Sequence, residues 1–283
     1  MQYLLGFVIA LFIALTGVGA GTITVPILVL YLGVPAPVAV AIGLTFSAAV
    51  KLILLPVQIM RRNVAWRVLG YMVLGGLPGV IAGSLFLKQL VNAGSQNLLN
   101  ALLGAVLLGT AAWQLLYSFR SMHRDPVPAD RSRLLPWLMF PVGAEVGFSS
   151  AGAGALGSAA LLTLTPLEPA QVVGTDIAFG FLLSLAGSGA HLFTGSIDTT
   201  LLLQLIAGGI VGAGVGTALS TRVPRRPLRL ALWIWLMFLG GQFLYNSYQH
   251  RWIQPKQAAV EVHAATTSAL APATKAAPTP HGD

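Results

Sequence analysis

Four ionisable residues lie inside long apolar runs of this chain: Lys51, Glu145, Asp176 and His191. A charge in hydrocarbon is costly, so each is a candidate for function before any fold is considered. Lys51 stands in the middle of the run 36–60. Its ammonium could neutralise a bound anion, and the competing reading, a lysine snorkelling to an interface, suits a central position poorly. Asp176 follows Gly174-Thr175 several residues inside the run 169–194. It could pair with Lys51 or carry a proton, or it could cap a helix start. Glu145 precedes a glycine-rich stretch and could carry a proton. His191, near the end of its run, reads more readily as a loop-facing histidine than as a functional one.

These residues belong to a chain with little polar surface to offer water. It has 283 residues, 55% hydrophobic and 8% charged, where soluble domains carry about 25% charged residues. The apolar segments run at roughly 3–16, 22–33, 36–60, 68–87, 97–118, 134–148, 155–166, 169–194, 199–220 and 228–248. They are continuous and do not alternate, which argues for helices and against a barrel. The net charge of +8 sits in loops between these segments, where it sets orientation and does not mark a nucleic-acid site. With no cysteine there is no disulfide, thiolate chemistry or Cys-based metal site. No metal or other cofactor is called for. The N-terminus lacks a positive n-region and reads as retained membrane structure.

The two halves repeat each other at an offset of 133. Gly75, Gly76, Gly79 and Gly83 coincide with Gly208, Gly209, Gly212 and Gly216, and Gly19-Ala20-Gly21 with Gly152-Ala153-Gly154. Gly43 meets Gly174 after a two-residue slip. The first two segments of each half are too short for the roughly 20 residues of a span. They flank Gly17–Gly21 in one half and Ser150–Gly154 in the other. The expected fold is therefore an all-α polytopic membrane protein of two homologous halves, each a broken re-entrant helical hairpin plus three transmembrane helices. The boundaries are a first repeat at 1–118, a cytoplasmic linker at 119–133, a second repeat at 134–250 and a disordered tail at 251–283.

Charge decides the orientation of the repeats. Loop 61–67 carries three arginines and its counterpart 194–199 only Asp198, whereas loop 88–95 carries Lys88 alone and its counterpart 221–229 four arginines. Opposite bias at equivalent loops predicts inverted topology. Placing the N-terminus outside puts eleven arginines, in loops 61–67, 119–133 and 221–229, on the cytoplasmic side. Eight simple spans with a cytoplasmic N-terminus would leave 221–229 outside, against the positive-inside rule.

Broken backbone at membrane depth survives only where protein or a watery cavity covers it. Two breaks at matching places predict a central site where helix N-termini attract an anion. The candidate binding residues are Gly19, Gly21, Thr22, Thr24, Thr45, Lys51, Ser149, Ser150, Gly152, Gly154 and Thr175, with Asp176, Glu145 and His191 as coupling residues. Alternatively, these glycines serve helix packing alone, as those at 75–83 and 208–216 are expected to do. Gly147-Phe148-Ser149-Ser150 with His191 also suggests, remotely, an intramembrane serine hydrolase. A passive anion channel could use the same glycine-rich breaks.

The chain resembles the TauE/SafE (sulfite exporter) family of membrane transporters over about residues 5–248. In the first half the likeness rests on Gly17-Val18-Gly19-Ala20-Gly21 with Pro26, Ala41-Ile42-Gly43-Leu44-Thr45 with Lys51, and Arg61-Arg62-Asn63-Val64-Ala65-Trp66. In the second half it rests on Gly147 to Gly157, Val173-Gly174-Thr175-Asp176-Ile177-Ala178, Gly189-Ala190-His191 and Gly195-Ser196-Ile197-Asp198. The resemblance implies proton-coupled export of a small sulfur-containing anion, sulfite or an organosulfonate, by a multi-pass protein of the bacterial inner membrane. Such a protein is expected to need the lipid bilayer and its anion as partners, and no nucleic acid. A homodimer is compatible, although no residue argues for one. Two departures matter: relatives often carry an acid where this chain has Thr45, and a glycine where it has Ala20. The first makes a symmetric two-acid coupling scheme doubtful here.

Overall fold

The computed structural model describes residues 2–16, 19–94, 96–120, 130–192, 199–219, 228, 230–245 and 248. The central part of the linker and the tail at 251–283 lie outside them, as do Gly17, Val18, the motif Gly195–Asp198 and the arginines of loop 221–229. All regular structure among the described residues is helical: α1 Gln2–Thr16, α2 Ala20–Leu32, α3 Ala36–Met60, α4 Trp66–Asn92, α5 Gln96–Arg120, α6 Leu135–Ser149, α7 Ala153–Leu164, α8 Pro169–Leu192 and α9 Thr199–Leu219. A short 3-10 turn, Ser132–Leu134, leads into α6, and a further apolar helix, α10, covers Leu230–Tyr245.

Five helices are long and apolar enough to cross a membrane, within α3, α4, α5, α8 and α9. α6 and α7 are not. At 15 and 12 residues they rise about 22 and 18 Å, short of a hydrocarbon core about 30 Å thick. Their outer ends nevertheless meet, because the Arg131 N–H donates to the Leu164 carbonyl at 2.8 Å. The pair is thus a helical hairpin whose outer ends lie together. Its turn is made by Ser150, in the left-handed region at φ 60°, and Gly152 at φ 89°. α1 and α2 are of similar length. α2 ends at Gly33, also left-handed, where the Val34 N–H returns to the Leu28 carbonyl at 3.0 Å. Gly33 supplies the positive φ that this terminus requires.

Packing between the halves is reciprocal. Gly75, Gly79 and Gly83 of α4 lay bare backbone against Pro136, Phe140 and Ala144 of α6. Gly208, Gly212 and Gly216 of α9 do the same against Tyr3, Phe7 and Leu11 of α1. Phe179 of α8 fills the space over Gly76, and Phe46 of α3 that over Gly209. Each contact becomes the other when 133 is added or subtracted, and α3 crosses α8 at the centre. Without a hydrophobic force between helices in lipid, close backbone approach of this kind supplies the dispersion energy of association. The outside is correspondingly apolar, with Leu74, Trp113, Trp137, Leu203 and Phe238 exposed.

One sequence alignment needs correction. Gly43 and Gly174 do not occupy matching places, for Gly43 faces Ser150 and Val25 while Gly174 lies against the Asn63 backbone. With Phe46 matching Phe179, the unslipped offset holds through α3 and α8, and Gly43 corresponds to Asp176.

The arginine-rich loop after α3 and the approach to α6 share one face. Asp130, fully exposed, accepts the Ser132 N–H at 3.0 Å. That hydrogen bond holds its carboxyl below the usual carboxylate range, and Arg67 and Arg133 reinforce the effect.

Candidate functional site

The amino ends of α2 and α7 meet in the interior. Gly21, in the first turn of α2, lies directly against the backbone carbonyl and hydroxyl of Ser150, three residues before α7. A Cβ on Gly21 would occupy the space of that carbonyl. Gly43 of α3 closes the third side, its Cβ position 3.0 Å from Ser150 Oγ. Gly19 caps α2 in an extended conformation and Gly152 caps α7, and neither helix end has a side-chain cap. The Ser150 hydroxyl is buried and has no hydrogen-bond partner. Thr22 and Gly154 are buried in the same first turns, and Thr24 just beyond. A cluster of uncapped N–H groups beside an orphaned hydroxyl suits an anion, since both present hydrogen-bond donors and the helix dipoles add positive potential.

Lys51 and Asp176 form a second centre nearby. The Lys51 ammonium rests over Gly180 of α8, in space that any larger residue would fill. Asp176, one turn before Gly180, attracts it electrostatically. One oxygen of Asp176 lies against Gly157, and Ser158 Oγ donates to the other, Oδ2, at 2.9 Å. Both charged residues are buried, 6% and 5% exposed, so each depends on the other for compensation. Lys51 is eight residues beyond Gly43, about 12 Å along the helix. The pair therefore flanks the meeting of the helix ends and does not sit within it.

The remaining candidates are dispersed. Ser149 Oγ donates to the Glu145 carbonyl at 2.9 Å and accepts the Ala151 N–H at 3.2 Å, so it braces the turn. Thr175 accepts the N–H of Ala65, the residue that caps α4, at 2.9 Å. Its hydroxyl fastens the loop after α3 to α8 beside Gly174 and Asn63. Thr45 donates to the Ala41 carbonyl and shares a 2.7 Å hydrogen bond with Ser188. Glu145 presses on Gly152, where a Cβ would come within 2.7 Å of Oε2. It faces Thr110 of α5, and its Oε1 is buried without a partner. His191 Nε2 lies 3.1 Å from the Gly147 carbonyl.

Sequence reasoning passed over Ser47, Gly180, Ser184 and Ser188. The signal was there: Asp176, Gly180, Ser184 and Ser188 recur at intervals of four, which places small or polar residues on one face of α8.

Comparison with known proteins agrees with this architecture. The chain is 29% identical over 197 residues to "Probable membrane transporter protein YjnA" of Bacillus subtilis (strain 168), covering 67% of this chain and 78% of that protein. It is 28% identical over 109 residues to "Probable membrane transporter protein YunE" of the same organism, covering 38% of this chain and 40% of that protein. No solved structure matches it. The family described as "Sulfite exporter TauE/SafE" matches residues 3–243. A match over nearly the whole apolar part of a multi-helix chain settles its kinship: this membrane protein belongs to the TauE/SafE sulfite exporter family.

Proposed function

We propose that the protein is a proton-coupled secondary transporter of a small sulfur-containing anion, sulfite or an organosulfonate, acting as an exporter in the bacterial inner membrane. The observation that carries the reading is the meeting of the uncapped amino ends of α2 and α7 around the buried, unpartnered Ser150 hydroxyl. An anion there would accept from backbone N–H groups of both helices and from Ser150. The description of the family as sulfite exporters supports the substrate class.

The inverted repeat is part of the same proposal. A hairpin that returns to its own face followed by three crossings makes an odd number, so the second half begins on the opposite side from the first. The reciprocal packing of α1 with α9 and of α6 with α4 supports it. Rocking of one set of helices against the other would then expose the centre to alternate sides.

Coupling follows from the Lys51–Asp176 pair. While Asp176 is ionised it neutralises Lys51. A proton on Asp176 leaves the ammonium uncompensated and draws the anion inward from the helix ends, so proton and anion bind together. A doubly charged anion moving with one proton carries net negative charge. An inside-negative voltage drives that charge outward with about 2.3 kcal/mol per 100 mV, which favours export.

The test is sulfite flux in proteoliposomes of the purified protein with an imposed pH gradient. Accumulation on the alkaline side is expected. Flux that only follows the anion's own electrochemical gradient would indicate a channel or uniporter, and no sulfite flux would remove sulfite as the substrate.

A further inference from the structure

Between the Lys51–Asp176 pair and His191, the contact between α3 and α8 holds a polar group at each turn of α8. Lys51 lies over Gly180. One turn on, Ser184 Oγ donates to Ser47 Oγ at 3.0 Å. One turn further, Ser188 and Thr45 share their hydrogen bond at 2.7 Å. His191 then stands beside the Gly147 carbonyl. Ser47, Ser184, Ser188 and His191 are all buried, at 2%, 2%, 5% and 5% exposure. From Asp176 to His191 the ladder covers fifteen residues of α8, about 22 Å of a hydrocarbon core about 30 Å thick.

We infer that this ladder is a proton path, separate from the anion's route, between the His191 end of α8 and Asp176. The inference rests on the proton-coupled transport proposed above. Hydroxyls suit the task because each can accept a proton on a lone pair while releasing its own. A proton arriving on His191 passes through the Ser188–Thr45 and Ser184–Ser47 pairs, and the Lys51 ammonium over Gly180 gives a proton to the Asp176 carboxylate and takes one back from the Ser47 side. No other bond is made or broken. Rungs one helical turn apart are about 5–6 Å from one another at Cβ, a gap that a rotating hydroxyl or one bridging water spans. Lys51 from α3 and Ser158 from α7 face Asp176, and the proton that reaches it removes the negative charge that attracts Lys51.

Interhelical adhesion is the competing use of such hydroxyls, and the two uses separate experimentally. Exchange of labelled for unlabelled sulfite at equal pH requires no net proton movement, whereas accumulation driven by a pH gradient does. The double variant Ser47→Ala/Ser184→Ala is expected to lose pH-driven accumulation about tenfold or more, a modest part of what a positioned proton carrier contributes. Its sulfite exchange should stay within about twofold of wild type, because neither serine lies at the helix ends that bind the anion. Ser47→Thr/Ser184→Thr, which restores both hydroxyls, should recover accumulation. Unchanged accumulation in the alanine variant overturns the path, as does a parallel loss of exchange, which would mark the serines as adhesive. Absence of pH-driven accumulation in the wild type is a different failure, and overturns the proton coupling itself.

Discussion

Lys51→Ala is expected to abolish sulfite accumulation and to destabilise the protein, and the two losses have separable causes. Truncation strands the Asp176 carboxylate in a buried place, where breaking an ion pair costs about 3–5 kcal/mol. Asp176 can escape part of that cost by taking up a proton permanently. The added Asp176→Asn substitution should therefore restore most of the thermal midpoint lost in Lys51→Ala. It should not restore transport, because the cation that draws the anion past the helix ends is still missing. Losing a buried charged partner costs at least about 2 kcal/mol, so sulfite transport at subsaturating concentration should fall about thirtyfold or more. Melting of the wild type and both variants in detergent, alongside sulfite uptake in proteoliposomes, reads both effects. Transport regained in the Lys51→Ala/Asp176→Asn protein would reduce Lys51 to a counter-ion with no part in handling the anion.

Gly21→Ala is the second large effect, and it acts through geometry alone. The new Cβ would claim the space of the Ser150 carbonyl. Backbone cannot swing aside as a flexible side chain can, so α2 and the α6–α7 turn must separate. Overpacking of this kind costs typically about 1–3 kcal/mol. More importantly, it moves the N–H groups of the two helix ends relative to each other, and an anion bridging them loses one set. A fall in transport of about tenfold or more is expected, equivalent to about 1.4 kcal/mol of binding. Gly70→Ala is the control. Gly70 lies within α4 with open space where its Cβ would be, and alanine is the better helix former by about 1 kcal/mol. Transport unaffected by Gly21→Ala, or affected equally by Gly70→Ala, would separate the α2–Ser150 contact from function.

Much of this was legible in the residues because its causes are local. Hydrocarbon excludes uncompensated charge and unpaired backbone, so long apolar runs with few charges declare a helical membrane protein without reference to any contact. The turn at Ser150–Gly154 announced itself through glycine, and Gly152 indeed stands at a φ that other residues rarely adopt. The glycines of 75–83 and 208–216 read as packing residues, and each row lies against another helix. Their neighbours α6 and α1 could not be read from the same residues, since a bare helix face does not name the helix that will cover it. Contacts between residues far apart in the chain were decided by tertiary structure alone. Thr175 looked like a donor for a ligand, but its hydroxyl accepts the Ala65 N–H from a loop 110 residues away. Gly43 seemed to match Gly174, yet side-chain packing around Phe46 and Phe179 sets the equivalence two residues away. The offset that pairs these phenylalanines also sets Val25 and Gly43 against Ser158 and Asp176, so the polar pair stands in one half only. The spacing of Ser184 and Ser188 was visible, but not the hydroxyls of Ser47 and Thr45 that answer them across the interface. The sequence by itself determined the medium and where the helices break, because those follow from local chemistry. Which polar groups face one another was left to the crossing of α3 and α8, because partner choice depends on the geometry of two surfaces at once.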